Sequence, residues 1–255
     1  MSNPALNART FENFKINQTI PDDSNGLNNM INEALPYNAR AMSYNGTINK
    51  SLTLLAVVVL CSLVSYHCNL PIILNTVGVI AAFILGIFIC YKPHLAPRLA
   101  PLYGICEGVA IGILSKLIDL AYGHVALEAV MCTMAVVFSM LAAYRLGIIK
   151  VTATFRTFFT GAIYGVLIYY IFLLFTSLCG VYFAPLYSGP VSIIINLIIC
   201  GIASFSLAMD FEDIKQGVEC HAPKYMEWYC AYGLMVTIIW IYIEILKLLA
   251  ASRRR

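Results

Sequence analysis

Residues 70–91 read LPIILNTVGVIAAFILGIFICY. Twenty-two residues pass without a charge. A helix needs about 20 apolar residues to cross the roughly 30 Å of hydrocarbon in a bilayer. The run lacks the period-two alternation of a barrel strand. In lipid its backbone groups must find partners within the segment, which leaves a helix. This stretch predicts a transmembrane helix, and the rest of the chain repeats it.

Six more apolar runs cover 52–66, 101–121, 125–144, 158–181, 191–209 and 228–249. The fold class predicted is all-α: a polytopic membrane protein with seven transmembrane helices. The chain divides into a polar, flexible tail at 1–49, a membrane domain at 50–251 and a basic tip at 252–255. Composition agrees, with 60% hydrophobic residues and only 11% charged. Soluble domains carry about 25% charge. The partner this implies is the lipid bilayer. A net charge of +3, with basic residues scattered among loops, gives no footprint for nucleic acid.

Of the 9 cysteines, Cys61, Cys90, Cys106, Cys132, Cys179 and Cys200 lie within apolar runs, where free thiols pack as small hydrophobes. No C-x-x-C occurs, and Cys220-His221 is too small a group for a structural zinc site. No apolar signal segment opens the chain, and the Asn17–Thr19 and Asn45–Thr47 glycosylation patterns have no meaning on a cytosolic tail.

Lysine and arginine set the orientation. The tail holds Arg9, Lys15, Arg40 and Lys50; the second connection holds Lys92 and Arg98; the fourth holds Arg145, Lys150 and Arg156; the sixth holds Lys215 and Lys224. The first, third and fifth connections hold none. This places the N-terminus in the cytosol. Seven crossings then put Lys247 and Arg253 to Arg255 outside, against the rule; a re-entrant last helix is the alternative.

Ionisable groups within spans are costly and mark function by default. Glu107, Lys116 and Asp119 fall in the third run, Glu244 in the seventh, and Glu128 at the start of the fourth. Lys116 and Asp119 are i,i+3 neighbours and read as a local pair. Glu107 stands about 9 Å along a helix that begins at Pro101. Beside it, Gly104, Gly108 and Gly112 form a smooth stripe for close helix approach.

Five of the 13 acidic residues gather at 209–229, MDFEDIKQGVECHAPKYMEWY. Asp210 and Asp213 are expected at the end of the sixth helix, and Glu227 at the start of the seventh. Together with Glu107 they are expected to converge in the cytosolic half of the bundle. Clustered carboxylates can share protons or bind a hard cation. Glu212 and Glu219 read as solvated, and the stretch lacks EF-hand spacing.

These residues resemble the Bax inhibitor (transmembrane BAX-inhibitor-motif) family, in its bacterial YccA-like branch. The resemblance runs over about residues 41–249. It rests on MSYNGTINKS at 42–51, YGICEGVAIG at 103–112, YRLGIIKVTATFR at 144–156, MDFEDIKQGV at 209–218 and PKYMEWY at 223–229. It implies a seven-helix bundle with the last helix central, in a bacterial cytoplasmic (inner) membrane. It further implies a pH-sensitive Ca²⁺ leak, and a membrane-bound AAA+ protease as a partner. The family's pH sensor is an aspartate pair from the last two helices, latched by a basic residue. Asp210 matches the first aspartate. Thr237 falls near the second, so Glu227 or Glu244 would have to substitute; they stand about 25 Å apart along a helix, and Glu227, on the cytosolic side with Asp210, is taken. Arg98 and Arg145 are the latch candidates, the second helix offering Asn75 and no base before Lys92.

Two functions compete: a cation leak channel or exchanger gated by carboxylate protonation, and a membrane interaction protein for stress response or protease quality control. No cofactor is expected; Ca²⁺ or H⁺ enters only as an ion sensed or moved. An enzyme is not expected, since His67, His94, His124 and His221 fall in separate connections and no catalytic arrangement appears.

Overall fold

A computed structural model describes residues 41–68, 70–180 and 190–253. The tail at 1–40, most of the fifth connection and the last two arginines lie outside the described residues, as does the Asn17 pattern. Among the described residues there are seven α-helices: α1 (Tyr44–His67), α2 (Ile73–Tyr91), α3 (Ala96–Tyr122), α4 (Val125–Arg145), α5 (Ala153–Leu178), α6 (Pro190–Glu219) and α7 (Met226–Arg253). A 3₁₀ turn at Pro93–Leu95 leads into α3.

The apolar runs fix where the helices lie, and local polar chemistry fixes their ends. The first run begins at Leu52, yet α1 begins at Tyr44. Ser43 caps it, its Oγ accepting from the Gly46 amide at 3.1 Å, which satisfies one orphan donor of the first turn. Thr152 caps α5 in the same way through the Phe155 amide at 3.2 Å. The third helix starts at Ala96 and carries Pro101 inside it. Glu107 therefore stands about 16 Å along the helix at 1.5 Å per residue, deeper than a start at Pro101 would give. The sixth helix continues past Met209 through the acidic stretch to Glu219.

Six helices are long and apolar enough to cross a bilayer: α1, α2, α4, α5, α6 and α7. The exception is α3, whose 27 residues include Arg98, Glu107, Lys116 and Asp119. Burial differs sharply among the six. In α5 only Val166 and Thr176 are buried, while Phe158, Leu167, Ile168, Ile171 and Phe175 stand exposed. So continuous an apolar surface requires an apolar solvent. The most buried is α7, with 56% of its most apolar window enclosed by protein. This is an all-α polytopic membrane bundle with a protein-enclosed last helix.

The contacts divide the chain into two units. One holds, of the described residues, 41–112 and Glu212–Met235; the other holds Ile113–Phe211 and 236–253. In the first unit α3 lies tight against α1. A Cβ at Gly104 would touch Val57 and Val58 at 3.5 Å, one at Gly108 would stand 2.7 Å from the Val58 carbonyl oxygen, and one at Gly112 would overlap that of Ser62. Ser65 Oγ donates to the Val109 carbonyl at 2.8 Å along the same seam. The glycine stripe is thus a packing surface that brings two backbones together.

Candidate functional site

In the first unit the acidic group at the start of α7 is a finished structure. Glu227 is fully buried. Its Oε1 accepts from the Ser43 amide at 2.9 Å and from Ser43 Oγ at 3.0 Å, and pairs with Lys224 Nζ at 3.1 Å. Its Oε2 pairs with Lys50 Nζ. Lys50 also stands 5.7 Å from the centre of the Trp228 ring. A side chain at Gly46 would collide with the carboxylate. The backbone joins here too: Met42 N–H donates to the Ala222 carbonyl at 2.7 Å, and Ala41 bridges Pro223. Four donors from three residues, in two chain segments, therefore meet one buried carboxylate, as such a group requires.

The bases that meet Glu227 are Lys50 and Lys224. Arg98 and Arg145, the expected latches, are exposed. Asp213 is fully buried in the same unit, within electrostatic reach of Tyr229. Glu107 is half-buried, within reach of Tyr103 and Tyr232. Those two rings meet edge to face at 4.9 Å, and the Tyr232 hydroxyl lies where a Gly86 Cβ would be only 2.7 Å away. This packs α7 against α2 and α3. Glu212 and Glu219 pair loosely with Lys215 at 3.8 and 4.0 Å on the surface of α6.

In the second unit Asp210 is fully buried on α6. Thr237, near the place of the family's second acid, is 3% exposed. Asp119 Oδ1 accepts from the Ala126 amide at 2.8 Å, so it caps α4. Arg253 donates to the Gly123 carbonyl at 2.6 Å and pairs with Glu128, which ties the end of α7 to the α3–α4 turn.

Two sets of contacts were not read from the sequence. Two partners of Glu227, Lys50 and Ser43, stand 177 and 184 residues away and left no local signal, whereas Lys224 stands three residues before it. The other set is that of Glu244, Lys247 and Tyr170. Glu244 Oε1 accepts from the Tyr170 hydroxyl at 2.6 Å and from Lys247 Nζ at 3.0 Å. Glu244 stands out in the sequence as an ionisable group within a span, and its i,i+3 spacing to Lys247 is the signal that could have found the pair.

Seven helices among the described residues, a protein-enclosed last helix and long apolar surfaces define a polytopic helical membrane protein. The family model described as Bax inhibitor 1 like matches residues 3–254. The chain belongs to the Bax inhibitor 1-like family. No curated protein and no solved structure matches it.

Proposed function

We propose that this protein is a pH-sensitive cation leak or exchanger, with Ca²⁺ the first candidate, in a bacterial inner membrane with its N-terminus in the cytosol. The observation that carries the reading is Asp210: a carboxyl group with no exposure, in a helix apolar enough to cross a bilayer. Such a group is retained at a cost and is a functional candidate by default. Its charge state and the packing around it are linked, so protonation can bias one arrangement of helices over another. Asp213, also fully buried, is the next candidate to share in this. Glu227 is better suited to holding the N-terminal segment than to exchanging a proton, because four donors already occupy it. The reading assigns no catalytic step and no resident cofactor. The test is Ca²⁺ uptake by proteoliposomes holding the purified protein, across pH. Flux that changes with pH and is lost in Asp210→Asn supports the reading; no flux at any pH overturns it.

A second reading, a membrane interaction protein with the tail as its handle, draws on the Ser43–Glu227 contact. That contact joins the segment leaving the tail directly to the first turn of α7. A membrane-bound AAA+ protease is the partner this reading carries, and co-purification dependent on residues 1–40 tests it.

A further inference from the structure

The Tyr170, Glu244 and Lys247 group lies wholly within the second unit. Its geometry is lopsided. Glu244 is 1% exposed, yet both of its donors converge on Oε1. Its Oε2 is buried with no hydrogen-bond partner. A buried carboxylate oxygen in an apolar surround calls for a positive or donating neighbour. The ammonium of Lys247 sits 3.0 Å from a carboxylate oxygen, 3.0 Å from a phenol oxygen and 4.7 Å from the centre of the Tyr170 ring. Two oxygens and an aromatic face are the surroundings that receive a small monovalent cation. One carboxylate is too few for Ca²⁺, which takes about six to eight oxygens.

The partners also differ in freedom. The Lys247 side chain is 37% exposed, while that of Glu244 is 1% exposed. A lysine stem can swing its head towards water or headgroups. Glu244 cannot follow, and a lone carboxylate left behind would be strongly unfavourable. When Lys247 leaves, the site requires a replacement positive charge. Of the titratable neighbours, Cys200 on α6 lies within electrostatic reach of Glu244, and Tyr169 packs on Tyr170 at 5.5 Å. Neither supplies that charge.

We propose that Lys247 is a tethered cation plugging a monovalent-cation site built from the Glu244 carboxylate and the hydroxyl and ring of Tyr170, and that a free cation occupies the site when Lys247 swings out. This needs binding only, so it stands or falls apart from any conduction through the protein.

The test uses the purified full chain and Tl⁺ as the probe. In the wild-type protein, Tl⁺ should increase amine acylation of Lys247, read by mass spectrometry, relative to N-methylglucamine at equal ionic strength. Labelling that does not respond to Tl⁺ overturns the proposal. In Lys247→Met, Tl⁺ should bind about tenfold tighter than in wild type. That binding should vanish in Glu244→Gln/Lys247→Met and weaken in Tyr170→Phe/Lys247→Met. If Lys247→Met folds and binds no Tl⁺ beyond the double variant, a proton or nothing replaces the lysine, and the proposal is wrong. If Lys247→Met does not fold, the wild-type labelling still decides.

Discussion

Glu227 and Lys50 lie 177 residues apart in the chain and form an ion pair in which the carboxylate is fully buried. The pair joins the second turn of α1 to the first turn of α7. Ser43 and Lys224 complete it, so the entry to the first helix and the entry to the last are fastened at one carboxylate. Glu227→Gln keeps the shape but leaves two ammonium groups without their counter-charge. Removing one partner of a buried pair costs about 3–5 kcal/mol. Partial exposure of both lysines puts the expected loss at the lower end of that range, about 3 kcal/mol. Thermal unfolding in detergent should show a midpoint lowered by roughly 6–12 °C. Glu219→Gln, on a carboxylate that is 59% exposed, should stay within about 0.5 kcal/mol of wild type. Equal midpoints for the two variants would mean the fastening contributes nothing to stability.

Apolar run length was enough to read seven helices from the sequence, because a bilayer demands segments of one length whatever their partners. It misplaced helix ends wherever the last turns are polar. The opening turns of α1, YNGTINKS, look like loop, yet Ser43 caps them and Glu227 neutralises Lys50 there. The apolar run stops at Met209 and Asp213 was read as the helix end, yet α6 runs on through DFEDIKQGVE to Glu219. Hydropathy sees that Asp210 and Glu212 are acidic; it cannot see that Asp210 has no exposure while the Glu212 side chain keeps 18%. Which base meets which acid was illegible for the same reason. Arg98 and Arg145 were offered because the second helix has no base before Lys92; Lys50, which meets Glu227, is brought there by the fold.

The glycines separate into two kinds that sequence alone cannot distinguish. Gly112→Ala would drive a Cβ into the Ser62 backbone, where there is no flexible side chain to yield. Gly161 and Gly165, with the same spacing of four, have nothing within 4 Å of the new atom. Gly112→Ala should reduce the yield of folded protein severalfold. Gly165→Ala should be neutral or gain up to about 1 kcal/mol from helix propensity. Size-exclusion profiles of the two variants check this; a monodisperse Gly112→Ala with an unchanged midpoint contradicts the tight α1–α3 seam.

The side of the C-terminus follows from Arg253. Its guanidinium is bonded to the carbonyl of Gly123 and to Glu128, so the end of α7 lies with the α3–α4 turn. That turn is one of the three connections without lysine or arginine. As an unbroken helix of 28 residues, α7 is about 42 Å long, enough for a full crossing. A reporter fused after Arg255 should therefore read on the same side as one inserted at Gly123, and opposite to one fused before Ala41. A C-terminal reporter on the N-terminal side would make α7 re-entrant and overturn this.

Asp210 and Glu212 test the gate with two acids separated by one residue. By the 3.6-residue turn their side chains point about 200° apart round α6. Glu212 keeps some exposure and a loose pair with Lys215, so its protonation changes little but surface charge. Asp210 has no exposure, and its change of charge must be answered by the groups packed around it. Asp210→Asn fixes that position in the uncharged state at every pH. Ca²⁺ flux into vesicles holding this variant should lose the pH-dependent step that the wild type shows. Glu212→Gln should keep the step, with the same midpoint and an amplitude within about twofold. Loss of the step in both variants would locate the effect in surface charge rather than in the buried acid. Retention in both would remove Asp210 from the mechanism. If the wild-type vesicles show no flux at all, the acidic residues of 209–229 are better read as parts of the fold and of a docking surface, and the interaction reading takes precedence.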